Sequence, residues 1–124
     1  MKHSALGFAL TAAALLALSG APARAEIPRI TAVEALRTGT SWRFEVTLVH
    51  PDTGWDHYAD GWEVLDADGN VLGHRTLAHP HGFNQPFTRA LSGVEIPAGV
   101  TTVYLRAHCL VDGWGKADFA VDLR

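Results

Sequence analysis

The stretch Trp42-Arg43-Phe44-Glu45-Val46-Thr47-Leu48 alternates strictly between apolar and polar side chains. Successive side chains of a β-strand point to opposite faces, so this period of two predicts a strand that buries one face and exposes the other. A surface helix would instead repeat its apolar residues every three or four positions. The fold should therefore be built from half-buried strands.

The same alternation recurs at 103–109 and 117–123, and clusters of turn-forming residues separate the apolar runs at short intervals. No long helix is predicted after residue 28. Strands are predicted at 29–37, 41–50, 61–66, 71–78, 86–95, 101–109 and 115–123. This pattern predicts an all-β fold, a single seven-stranded antiparallel β-sandwich.

The apolar parity of these strands also predicts the core between the two sheets. It should contain Trp42, Phe44, Val46, Leu48, Val64, Leu105, Phe119 and Val121. In its strand and turn pattern the chain resembles immunoglobulin-like and fibronectin type III domains. Pro97-Ala98-Gly99 followed by Val103-Tyr104-Leu105-Arg106-Ala107 is similar to a turn and the sixth strand of a fibronectin-type module. The resemblance implies an architecture and no activity.

Residues 1–25 have the composition of a secretory signal peptide. A basic start at Lys2 precedes an apolar run, and the segment ends on Ala23-Arg24-Ala25. The run is too short to cross a bilayer, so membrane insertion is not expected, and no cysteine near Glu26 could carry a bacterial lipid anchor. Cleavage before Glu26 would leave residues 26–124 as one domain in a periplasmic or secreted protein.

The charge balance and the cysteine content exclude several classes of protein. Removal of Lys2 and Arg24 leaves eight basic against thirteen acidic side chains, so nucleic acid is not an expected partner. Cys109 is the only cysteine, so the chain cannot form an internal disulfide. No sequence signature of a nucleophile with its base is present, and Asp56, His57 and Asp60 are only loose candidates, so the chain is not expected to be an enzyme.

The run His50–Trp62, HPDTGWDHYADGW, is unusually rich in histidine, aspartate, tryptophan and glycine. If successive strands are antiparallel, this run lies at the same end of the sandwich as the segments around 79–81 and 108–114. Five histidines should therefore share that end, and only His74 should lie within a strand. These five are His50, His57, His79, His81 and His108.

Imidazole is a common ligand of Zn(II) and Cu(II), and the spacing of His79 and His81 puts both side chains on one face of an extended segment. The first hypothesis is therefore a site for Cu(II) or Zn(II) built from these histidines, with Asp56 or Asp60 as oxygen ligands. It requires at least three imidazoles to converge on one point.

The run, with LAHPH at 77–81 and QPFTR at 85–89, is also similar to an uncharacterised group of small secreted bacterial proteins. The resemblance implies that the run is the defining feature of that group, and it implies no function.

A purely structural interpretation of the run is equally open. Asp52, Gly54 and Asp60 form turns, and Trp62 opens a strand where sandwiches bury a tryptophan. Cys109 lies in the apolar row of its strand, which favours a packed thiol over a ligand or a nucleophile.

The second functional hypothesis is a metal-free interaction module. Exposed Trp55, Tyr58 and Trp114 would form an aromatic loop surface for a protein or glycan partner. Converging imidazoles favour the metal site, and a flat aromatic surface with scattered histidines favours the interaction module.

Overall fold

The computed structural model describes residues 26–124, and the predicted signal peptide lies outside the described residues. In this part of the chain all regular elements are β-strands, and no helix is long and apolar enough to cross a lipid bilayer. The strands are β1 (Arg29–Thr38), β2 (Ser41–Val49), β3 (Ala59–Leu65), β4 (Val71–Thr76), β5 (Phe87–Val94), β6 (Thr102–Cys109), β7 (Gly113–Trp114) and β8 (Phe119–Asp122).

The strands form two sheets in which all neighbouring pairs are antiparallel. One sheet has the order β1-β2-β5, and the other has the order β4-β3-β6-β7 with β8 also paired to β6. The all-β antiparallel prediction is confirmed for residues 26–124.

The predicted number of seven strands is wrong, because the described residues form eight: β7 (Gly113–Trp114) lies just before the last predicted strand at 115–123, and β8 covers only Phe119–Asp122 of that strand. β7 pairs with the end of β6 at His108↔Trp114, and β8 pairs with its first half, as at Leu105↔Phe119. The chain leaves strand geometry between them. Alternation of apolar residues reports which face a side chain takes, but it does not report whether the backbone keeps its ladder of hydrogen bonds.

Side chains from both sheets form one core. Five of the predicted core residues are fully buried, namely Phe44, Val46, Leu48, Val64 and Leu105. Trp42, Phe119 and Val121 are partly buried and pack against the cluster. Trp62 is the largest fully buried side chain, which agrees with its expected place at the start of β3.

Strand pairing determines which segments meet at one end of the sheets. His50 follows the end of β2, and the pairing Arg29↔Val49 brings the start of β1, with Glu26 before it, to the same place. The pairing Ala59↔Cys109 puts the start of β3 beside the end of β6. Residues 26–28, 50–58 and 110–112 therefore share this end of the molecule.

Candidate metal centre

Asp52 organises the loop between β2 and β3 from a buried position. Its Oδ1 accepts a hydrogen bond from the N–H of Ala59 at 2.9 Å, and its Oδ2 accepts one from the N–H of His81 at 2.8 Å. Its Oδ1 also lies 2.5 Å from Nδ1 of His50. One carboxylate thus ties the loop to β3, to the 79–81 segment and to the end of β2.

His50 is held by contacts on both ring nitrogens. Its Nδ1 faces the Asp52 carboxylate, and its Nε2 lies 2.7 Å from the carbonyl oxygen of Glu26. A carbonyl oxygen only accepts, so Nε2 donates here. A carboxylate on one nitrogen of an imidazole is the arrangement that orients metal-ligating histidines through their other nitrogen. Nε2 is therefore the nitrogen of His50 that could ligate an ion.

His50, His57 and Cys109 each offer a ligand atom, and these three atoms all lie within 4.8 Å of one another. His57 comes from the loop, and its ring meets the His50 ring edge to face at 5.0 Å between centroids. Cys109 is the fully buried last residue of β6. Two segments of the chain, the loop between β2 and β3 and the end of β6, therefore supply one compact set of nitrogen and sulfur donors.

Acidic groups surround this cluster. Asp112 Oδ2 lies 3.6 Å from Nε2 of His57 and accepts the S–H of Cys109 at 3.7 Å. The Glu26 carboxylate lies 4.0 Å from the same nitrogen of His57. That nitrogen is buried without a hydrogen-bond partner among residues 26–124. Negative charge beside this unpaired nitrogen of His57 suits a cation.

Burial is the main cause that raises the pKa of the Cys109 thiol, and the charge of Asp112 raises it further, against hydrogen bonds from backbone N–H groups that lower it. The thiol is therefore protonated at neutral pH when the cluster is empty. Because thiolate is the form that ligates, metal binding here would release a proton.

His79 and His81 form a separate pair with ring centroids 4.7 Å apart. His81 is buried and stacks on Phe87 at 3.7 Å, and neither of its ring nitrogens has a hydrogen-bond partner within the described chain. Its burial lowers its pKa, with help from the positive charges of Arg89 and His79. His79 is exposed, and its Nδ1 is hydrogen-bonded to the carbonyl oxygen of Pro80.

The remaining predicted ligands also lie apart from the cluster. His108 points to the sheet face opposite Cys109, where its Nδ1 bonds to Asp60 and its ring meets Trp114 at 4.7 Å. Asp56 is exposed in the loop. Of the five histidines expected at this end, the structure brings His50 and His57 into one donor set.

The predicted aromatic surface is divided in a similar way. Trp55 is 66% exposed and packs edge to face on Tyr58 at 5.8 Å. Trp114 instead lies under the guanidinium of Arg106 at 4.5 Å and contacts His108.

Sequence reasoning missed Cys109, Asp112 and Glu26 as members of the cluster. Along most of a strand, a side chain that points inward belongs to the core. Cys109 also points inward, but it is the last residue of β6 and therefore lies beside the loops. The Cys-x-x-Asp spacing of Cys109 and Asp112, opposite the histidine-rich loop, is the signal that could have identified two of them.

No family model matches this chain. It is 43% identical over 84 residues to a protein of Halomicrobium mukohataei named "Putative lipoprotein", a match that covers 68% of this chain. The chain spans 41% of the length of that relative. A crystal structure of a hypothetical protein from Pyrococcus horikoshii is similar with a TM-score of 0.48 and 17% identity, covering 79% of this chain and 88% of the other.

Proposed function

We propose that this chain is an extracytoplasmic protein that binds one divalent transition-metal ion, Cu(II) or Zn(II), through His50, His57 and Cys109. The observation that carries the proposal is the approach of their ligand atoms to within 4.8 Å of one another. Ligands held about 2.0–2.3 Å from a tetrahedral ion lie about 3.3–3.8 Å apart, so only a small contraction is needed. Binding, rather than catalysis, is the proposed role.

The chemistry of the donors supports a transition metal over calcium or magnesium. Two imidazoles and one thiolate are ligands for zinc and copper, whereas calcium and magnesium take oxygen ligands. A His₂Cys set is the pattern of copper electron-transfer sites, which favours copper of the two. Asp112, already within 3.6–3.7 Å of two of the three donors, supplies a negative charge beside the proposed ion.

The proposed location rests on two supports. Residues 1–25 have the pattern of a signal peptide, and the relative from Halomicrobium mukohataei is named "Putative lipoprotein".

The strand orders β1-β2-β5 and β4-β3-β6 support the proposal that the domain is a sandwich of the immunoglobulin or fibronectin type III kind.

Calorimetric titration of the processed protein with Cu(II) and Zn(II) tests the metal site. We expect micromolar or tighter binding, weakened by about 100-fold or more in Cys109→Ser and in His57→Ala, because each substitution removes a direct ligand. His79→Ala is the matched control, since it removes an exposed imidazole outside the cluster, and it should bind as the wild type does. Equal binding by all four proteins would contradict the proposal.

A second candidate function is the metal-free interaction module. The observation that favours it is the exposure of large apolar side chains on the loops, with Trp55 and Val111 both more than half exposed and Phe83 fully exposed. Such residues are typical anchors of a protein or glycan partner. Failure of the wild type to bind either metal, with binding of a glycan or protein ligand that Trp55→Ala abolishes, would favour this function.

A further inference from the structure

Glu26 contacts the proposed metal site with three of its groups. Its backbone N–H donates to Oδ2 of Asp112 at 3.1 Å, and its carbonyl oxygen accepts from Nε2 of His50 at 2.7 Å. Its carboxylate lies 4.0 Å from Nε2 of His57. The register of β1 on β2 brings the segment that contains Glu26 to this end of the sheets.

The peptide bond before Glu26 is the bond that signal-peptide processing is predicted to cleave. Its hydrolysis by water leaves a carboxylate on Ala25 and an α-amino group on Glu26. A peptide N–H nitrogen has no lone pair free for a metal, whereas a neutral amine nitrogen does. Processing would therefore turn the nitrogen that faces Asp112 into a potential ligand.

We infer that the processed N-terminus completes the metal site, with the α-amino nitrogen and the carbonyl oxygen of Glu26 chelating the ion held by His50, His57 and Cys109. This inference rests on the proposed function. On binding, the carbonyl oxygen moves from His50 to the ion, and Nε2 of His50 ligates after giving its proton to solvent, while the proton shared by Nδ1 and Asp52 stays on Nδ1. The ammonium group gives its proton to solvent, and its remaining hydrogens can donate to Asp112.

The main chain of Glu26 is a better candidate than its side chain. The backbone nitrogen and oxygen lie 3.1 Å and 2.7 Å from site atoms, whereas the carboxylate is more distant and its side chain is 53% exposed. The nitrogen and oxygen of one residue also close a chelate ring with little loss of freedom, since both groups already make hydrogen bonds at the site. The complete site would then exist only in the exported, processed chain.

The test compares two exported full-length chains, the wild type and a variant with Gly-Ser inserted between Ala25 and Glu26. The insertion keeps all the side chains but restores a peptide bond before Glu26. Intact mass confirms each N-terminus, and each protein is titrated with Cu(II) and Zn(II). We expect the insertion to weaken binding by about 10–100-fold, as for loss of a group that supports a metal site. Glu26→Ala removes only the carboxylate and should weaken binding less than the insertion does, because the main-chain nitrogen and oxygen remain. The same Gly-Ser insertion between Gly39 and Thr40, in the exposed turn between β1 and β2 at the other end of these strands, is the matched control and should bind within about twofold of the wild type.

Wild-type affinity in the insertion variant would overturn the chelate and leave the proposed function standing. Absence of binding in both chains would overturn both. Loss of binding in Glu26→Ala alone would assign the contact to the carboxylate and overturn the main-chain chelate. Pulsed electron paramagnetic resonance of the Cu(II) form, labelled with heavy nitrogen on glutamate, is independent of any folding defect in the variants. Coupling to the Glu26 nitrogen is expected, and its absence would overturn the inference.

Discussion

Single residues at this end of the molecule have two different tasks, and Asp52 illustrates the structural one. The sequence pattern predicts that Asp52 forms a turn, and in the structure it is a buried acceptor for two backbone N–H groups and a hydrogen-bond partner of His50. A turn propensity cannot reveal which distant donors a carboxylate will meet, because those donors are brought together by strand pairing. For the same reason, the sequence did not reveal that Glu26 and Asp112 lie beside the histidine and cysteine donors.

Replacement of Asp52 by alanine should destabilise the fold strongly. Two buried backbone N–H groups and the His50 ring would lose their partner, and removal of one member of a buried charged network costs about 3–5 kcal/mol. Asp56→Ala is the matched control, because Asp56 belongs to the same loop but is exposed. Urea denaturation should separate the two variants clearly. A similar unfolding midpoint for both would show that the Asp52 network does not hold the loop.

His81 should make the stability of the protein depend on pH. Burial lowers its folded pKa below the ordinary value of 6.5, so the unfolded chain binds a proton more readily than the folded chain. The free energy of unfolding should therefore fall as pH drops below about 6.5 and level off once the folded form is also protonated.

His81→Phe isolates this contribution, because phenylalanine keeps the stacking on Phe87 and removes two unpaired ring nitrogens. The variant should lose less stability than the wild type between pH 7.5 and 5.5, which denaturation at both values measures. Equal losses would mean that a different group controls the acid sensitivity.

At the scale of elements, alternation predicted most strands to within one or two residues. β2 was predicted at 41–50 and spans Ser41–Val49, and β6 was predicted at 101–109 and spans Thr102–Cys109. The prediction was wrong at 113–118, where 113–114 forms a strand that was not predicted and 115–118 does not form the strand that was, because a pattern of apolar side chains does not encode hydrogen-bond register. β7 and β8 both pair with β6 but do not form one continuous strand.

Phe44→Ala tests the core face of β2. Phe44 is fully buried between the sheets, and truncation of such a residue should cost about 3–5 kcal/mol of the free energy of unfolding. Thr47→Ala, on the half-buried opposite face of the same strand, removes a hydrogen bond to Thr88 and should cost only about 0.5–1.5 kcal/mol. Comparable losses from the two substitutions, measured by denaturant titration, would contradict the assignment of faces.

At the scale of the whole molecule, antiparallel topology was enough to predict which loops share one end. It was not enough to predict which side chains converge, because His108 points to the other sheet face and His79 pairs with His81. The surviving donor set combines two histidines that the sequence singled out with a cysteine that it assigned to the core. The pairing of β1 with β2 and of β3 with β6 brings these residues together from distant parts of the domain.

The proposed metal site is tested most directly by a crystal structure of the processed protein grown with Zn(II), with data collected on both sides of the zinc absorption edge. We expect one anomalous peak about 2.0–2.3 Å from Nε2 of His50, a ring nitrogen of His57 and Sγ of Cys109. A peak beside His79 and His81, or no peak in a crystal that contains the metal, would contradict it.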